Sequence, residues 1–175
     1  SPYGSTKLEA EGLLSEAFDR GDISGTSLRY FNAAGAGRHE LIEKTRVNLI
    51  PRVIYEIRNG ITPVIYGDDY PTDDGTCVRD YVHVEDIARA HVMALDPKIT
   101  SGIYNLSTGK GTSNAEVVDA AKTITNRPLN VVIGPRREGD PDELTAVADK
   151  FKRVAGEWQR WQLNDMIRHA WEWYV

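Results

Sequence analysis

The chain has 175 residues, 41% of them hydrophobic and 27% charged, with a formal net charge of −5 and one cysteine. That composition fits a globular protein with one ordinary core, argues against a disordered segment, and contains no apolar run of the roughly 20 residues a membrane span needs. The acidic balance speaks against a nucleic-acid backbone as partner, and the lone Cys77 excludes an internal disulfide and fits a reducing, cytoplasmic setting.

From Ser5 to about Arg20, Leu8, Leu13, Leu14, Ala17 and Phe18 recur at helical spacing, and Gly21 closes the segment. "SLRYFNAAG" (27–35) reads as a buried strand opening into a ligand-facing loop. A polar connection from Gly37 to Arg46 leads into "NLIPRVIYEIRNG", where an early Pro51 and a late Gly60 punctuate a helix. Val64, Ile65 and Tyr66 form a short strand ahead of the turn-rich "GDDYPTDDGT". "DYVHVEDIARAHVMAL" changes from alternation to helical period near Glu85, and "SGIYNLSTGKGTS" reads as strand then loop. Ser113 is the natural cap for a helix over 115–125, "LNVVIGP" is a further strand, and a final helix runs near 163–173 within a tryptophan-rich tail. Strands and helices alternate throughout, which predicts the α/β class.

Tyr3 and Lys7 stand four apart and so share a helix face. A phenol is a poor base at neutral pH, and a nearby ammonium favours its phenolate. Tyr-x-x-x-Lys alone is weak, because an ordinary surface turn has the same spacing. Arg79, Arg136 and Arg137 fall in loop-like stretches, where paired guanidinium groups could fork onto a diphosphate. On composition alone, solvated arginines are the simpler account, and Asn32 and Asn48 carry the same ambiguity. His39, His83, His91 and His169 have no metal-ligand spacing, so no metal is assigned, and His83 reads as a structural histidine. "TGKGTS" only superficially resembles a phosphate loop, since Gly111 stands where Ser or Thr should follow the lysine. The Gly-x-Gly-x-x-Gly dinucleotide fingerprint is absent from the sequence.

Taken in order, "SPYGSTK", "LRYFNAAGA", "NLIP", "VIYGDDYPTDDGTCVRDYVHVEDIARAH", "YNLSTGKGTS" and "PRREGDP" resemble the C-terminal half of the UDP-glucose 4-epimerase (UDP-galactose 4-epimerase) family, extended short-chain dehydrogenases/reductases. The resemblance spans the whole chain, and the insertion before Arg79 is its most specific part. It implies the C-terminal part of an NAD-binding Rossmann-type fold with a smaller α/β substrate domain. Residues 1–35 would close the dinucleotide-binding domain, and 36–175 would be mostly UDP-sugar domain with segments returning to the Rossmann sheet.

By the same resemblance, Tyr3 takes the proton from the sugar 4-hydroxyl while hydride passes to NAD. Lys7 holds the nicotinamide ribose and depresses the tyrosine pKa, and Phe31 lies beside the nicotinamide. The 4-ketose then turns over and receives hydride on its other face. Asn32, Asn48 and Leu49 match positions near the sugar and diphosphate. Val64, Ile65 and Tyr66 match the strand beside the uracil. Arg79 and Arg137 match the diphosphate clamp, and Asp140 a ribose contact. With this frame, the ligand reading of the arginines overtakes the solvated one.

Two departures stand out: the 37–48 segment is shorter than the family's, and Leu144 occupies a position that varies with tolerance of N-acetylated sugars. The family's N-terminal NAD-binding half has no counterpart here, which predicts a fragment with impaired turnover. The alternatives are a non-catalytic nucleotide-sugar-binding module and a sister UDP-sugar epimerase or decarboxylase. A homodimer is a further expectation from the family.

Overall fold

A computed structural model describes residues 2–174; Ser1 and Val175, the outer bounds of the two expected domains, lie outside the described residues. Helix α1 (Pro2–Asp19) leads into strand β1 (Thr26–Tyr30) and, after one residue, β2 (Asn32–Ala34). A short 3-10 turn (His39–Leu41) precedes α2 (Leu49–Arg58), β3 (Val64–Tyr66), β4 (Val78–His83) and α3 (Val84–Met93). The chain continues through β5 (Gly102–Leu106), β6 (Gly111–Ser113), α4 (Asn114–Thr125), β7 (Val132–Gly134) and β8 (Glu143–Leu144). It ends in α5 (Asp149–Ala155) and α6 (Leu163–Trp173). None of these helices is long and apolar enough to cross a membrane.

The strands form three small sheets. β1 pairs in parallel with β5, from Thr26 opposite Gly102 to Tyr30 opposite Leu106. β2 pairs in parallel with β4, which also takes β6 antiparallel and β8 parallel. β3 and β7 pair in parallel. The run expected as one strand over 27–35 is therefore two. The chain changes sheets at Phe31, whose N–H donates to the Leu106 carbonyl at 3.4 Å while Asn32 already faces Tyr81. α5, β6 and β8 went unforeseen because each is at most seven residues long and lacks a readable period.

Local chemistry sets the helix starts. Ser113 accepts from the Glu116 N–H, and the Glu116 carboxylate accepts from the Ser113 N–H, a reciprocal cap that begins α4. At α3 the capping acceptor is the His83 ring, whose Nδ1 takes the Glu85 N–H at 3.0 Å. Gly35, at φ +78, lies so close to this ring that a Cβ there would sit 2.5 Å from Nε2, so only glycine fits.

Two apolar clusters hold the layers together. In the first, Val53, Ile54 and Ile57 of α2, Val117, Val118 and Ala121 of α4 and Met166, Ile167 and Ala170 of α6 close over Ile65 and Tyr81. In the second, Tyr104, Leu106, Phe151 and Trp158 pack against Val82, Ile87 and Ala90, with Leu28 and Phe31 at the margin. Each fully buried aliphatic side chain contributes roughly 1.5–3 kcal/mol. Together they make a firm floor for whatever the strand ends carry.

Candidate functional site

Strand β4 divides its side chains by alternation. Arg79 and Tyr81 turn to one side and line an open cleft of about 250 Å³; Asp80, on the other side, is fully buried. The same cleft receives Asn32 from β2, Val47 and Asn48 from the loop before α2, and Leu49 and Arg52 from that helix's first turn. Tyr66 at the end of β3, Asn114 at the start of α4, and Arg137 and Asp140 beyond β7 complete the wall. Seven of the expected ligands thus converge: Asn32, Asn48, Leu49, Tyr66, Arg79, Arg137 and Asp140.

Positive charge outweighs negative here although the chain is acidic overall. Arg79, Arg52 and Arg137 face one carboxylate, Asp140, which pairs with Arg79 at 2.7 Å. A second Arg79 nitrogen donates to the Val78 carbonyl at 2.8 Å, so this guanidinium is held at the wall. The Arg137 guanidinium rests 4.2 Å from the Tyr66 ring centroid and has no ion pair among the described residues. Arg52 donates to the Val64 carbonyl at 2.9 Å and lies 5.1 Å from the same ring, while its buried Nε lacks a partner. Arg136 is committed elsewhere, ion-paired with Asp69 at 2.6 Å and stacked 4.0 Å from the Tyr70 ring centroid. Of the adjacent arginines, only Arg137 is available to a ligand in this cleft.

Other expected ligands lie apart. Ile65 is committed to the first core cluster, and Val64 lies outside the cleft lining, its carbonyl accepting from Arg52. Phe31 leans on the second cluster. Tyr3 and Lys7 line a separate groove of about 350 Å³ between α1 and β1, together with Glu11, Arg29 and Tyr30. The Lys7 ammonium lies 5.4 Å from the Tyr3 ring centroid, and Tyr3 is 73% exposed. Across that groove Arg29 forms a two-pronged ion pair with Glu11.

The glycine loop after β5 is occupied by the protein itself. Thr108 donates its N–H and hydroxyl to one Asp80 oxygen at 2.8 and 2.7 Å, and Gly109 N–H donates to the other at 3.0 Å. Burial pushes this carboxyl above its ordinary range against the pull of those donors. His83 is a fully buried structural histidine, its Nε2 3.0 Å from His169 Nδ1 and its ring beside Trp161. Cys77 is packed and buried.

Sequence reasoning missed Arg52, Tyr81, Asn114 and Val47. Tyr81 was recoverable, since it follows Arg79 by two residues on the same strand and must share its face. Arg52 was hidden because an arginine in a helix reads as a solvated charge.

A model of the NAD dependent epimerase/dehydratase family matches residues 1–107. A UDP-glucose 4-epimerase of Lactobacillus helveticus is 40% identical over 183 aligned residues, covering 99% of this chain and 55% of that protein. The crystal structure of a UDP-glucose-4-epimerase from Stenotrophomonas maltophila, with bound NAD and formylated UDP-arabinopyranose, superposes with a TM-score of 0.91 at 40% identity. The match covers 99% of this chain and 54% of that one. A Bifidobacterium longum enzyme of the same name, in complex with NAD+ and UDP, gives a TM-score of 0.88 at 36% identity, with coverage of 99% and 54%. The chain spans about half the length of the relatives it matches. Its mixed α/β fold with parallel pairs is a partial Rossmann-type arrangement.

Proposed function

The chain belongs to the NAD dependent epimerase/dehydratase family, and we propose that it carries the UDP-sugar half-site of a UDP-glucose 4-epimerase, the enzyme that interconverts UDP-galactose and UDP-glucose. The observation that carries this reading is the cleft: seven expected ligands meet there, with guanidinium in excess of carboxylate on an acidic chain. Arg137 is the clamp that moves from the Tyr66 ring onto the diphosphate, because a free guanidinium gains more from a charged, bidentate partner than from a ring face. Arg79, braced by Asp140, supplies a second fixed positive charge, and Tyr66 offers an aromatic edge to the base. Residues 1–35 with β5 form the dinucleotide side, and most of 36–175 the sugar side.

The Tyr3/Lys7 face fits one edge of a dinucleotide, since both side chains open onto the same accessible groove. Bound there, NAD would supply the hydride acceptor. Lys7 would hold its nicotinamide ribose, and Tyr3 would take the proton from the sugar 4-hydroxyl.

Isothermal titration with UDP tests the cleft. Arg137→Ala is expected to weaken UDP about tenfold, or ~1.4 kcal/mol, and an unchanged affinity would remove the clamp assignment. Proton NMR of UDP-galactose mixed with the chain and NAD tests the chemistry, with turnover lost in Tyr3→Phe. A second reading, nucleotide-sugar binding without turnover, is favoured by the separation of the Tyr3/Lys7 groove from the cleft. UDP binding together with unconverted UDP-galactose would select it.

A further inference from the structure

Asn48 immediately precedes α2, in the position where an asparagine side chain ordinarily caps the helix by accepting one of its first N–H groups. It makes no such bond. Instead its Nδ2 donates to Glu43 Oε2 at 2.6 Å. The other Glu43 oxygen gathers the Thr45 hydroxyl at 2.8 Å, the Val47 N–H at 3.2 Å and the Asn48 N–H at 3.3 Å. One carboxylate therefore closes the whole turn 43–48 on itself. Arg46 makes the turn possible by adopting φ +57, a left-handed conformation uncommon for a residue with a side chain.

The consequence for the cleft follows from donor and acceptor chemistry. An ionised carboxylate only accepts, so the Asn48 amide must aim its nitrogen at Glu43; the flipped amide would set oxygen against oxygen. One N–H is thereby consumed, and the carbonyl oxygen and the second N–H are left for the cleft. Burial works to raise the Glu43 carboxyl, yet the donors around it hold it below the ordinary range, so it stays ionised at neutral pH.

We propose that Glu43 is a positioning residue for ligand binding, fixing the amide orientation of Asn48 and the Val47–Asn48 wall of the cleft without touching the ligand itself. This rests on the reading of the cleft as a nucleotide-sugar site and deepens it. Glu43 lies outside the cleft lining, and Asn48 is within it.

The test has a sign that separates positioning from bulk electrostatics. Removing a negative charge near a site for a polyanion should, through long-range attraction alone, tighten UDP. Glu43→Gln is expected to do the reverse. Its own NH2 group must face either the Asn48 NH2 or the three donors on the other side, so the turn loses its order. UDP affinity measured by titration should fall about tenfold. Asn48→Ala should weaken UDP comparably, and adding Glu43→Gln to it should cost less than the same change in the wild type, since the two act through one contact. In 15N spectra of the full chain without ligand, the Asn48 side-chain N–H held by the carboxylate should shift in Glu43→Gln. UDP binding that is unchanged or tighter in Glu43→Gln, fully additive costs, or an unmoved amide signal would each overturn the proposal. A wild-type chain that binds no UDP would overturn the cleft reading and this proposal together. A variant that alone keeps wild-type affinity overturns only the role of Glu43.

Discussion

Helices α1 and α6 both contain recurring apolar residues, gathered on one side in α6 and spread around the helix in α1, and the fold treats them in opposite ways. α6 buries Met166, Ile167 and Ala170 against α2 and α4. α1 is longer, at 18 residues, and buries none: Leu8 is 65% exposed and Leu13 69%. The period of a sequence states that a helix has an apolar side. It does not state what that side meets. In α6 the partner surfaces are those of α2 and α4; in α1 Leu8 and Leu13 stay open, and Leu14 lines the groove that holds Tyr3 and Lys7. The packed part of the molecule carries the cleft, and the open part carries the tyrosine and lysine.

This contrast can be broken or sharpened by measurement. The largest effect is expected in the packed part: Phe151, fully buried with its ring against Tyr104 and Trp158, should cost about 3–5 kcal/mol when truncated to alanine, read from urea unfolding. Asp80→Ala comes next, at about 1–3 kcal/mol, because the Thr108 and Gly109 donors lose a fully buried acceptor. A loss under 1 kcal/mol would mean that the loop finds other partners and that the interior is softer than its packing suggests.

A pH effect should follow at smaller size. Burial, then the neighbouring His169, holds the His83 pKa below the ordinary 6.5, against the opposing pull of Glu85, Asp86 and Asp165. Below 6.5 the unfolded chain takes up a proton that the folded chain resists. The stabilisation from the neutral ring is therefore complete above about pH 6.5 and is lost as pH falls through and beneath it. Unfolding free energies between pH 8 and 5 should decline, and His83→Asn, which retains a capping acceptor, should flatten that decline. An equal slope in the variant would assign the dependence to other groups.

The smallest effect belongs to α1. Leu8→Ser should change stability by no more than about 0.5 kcal/mol, as at other exposed positions. A loss above 1 kcal/mol would show that this face is covered in solution and would erase the contrast. Equal solubility of the wild type and Leu8→Ser would argue that the open leucines draw no second surface to them.

Much of the architecture was legible in the residues. Strand 64–66, helix 163–173 and the Ser113 cap were read where they stand, because each is fixed by a local rule: a short β-branched run, a sustained apolar stripe, or a hydroxyl accepting a backbone N–H. The resemblance anticipated seven of the residues that share the cleft. What escaped were features made by distant encounters. The strand expected over 27–35 splits at Phe31 because β5 claims one half and β4 the other. Asp80, which carries no local signal of burial, is enclosed by donors from the Thr108–Gly109 loop, 28 residues along the chain.

The sequence by itself determined the alternation of the longer helices and strands and the Ser113 cap, because spacing and side-chain chemistry act within a few residues of each other; the expected ligands came from the resemblance of its motifs to a family. Only the tertiary structure decided which arginine is free. Arg136 and Arg137 are neighbours in the chain, yet one is neutralised by Asp69 and the other rests on Tyr66 across the cleft. The same holds for Glu43 and Asn48. A carboxylate's partners depend on how the backbone turns, and at the turn the Arg46 side chain reaches distant residues, its guanidinium 3.6 Å from the Tyr55 ring centroid and its Nε donating to the Tyr174 hydroxyl at 3.2 Å.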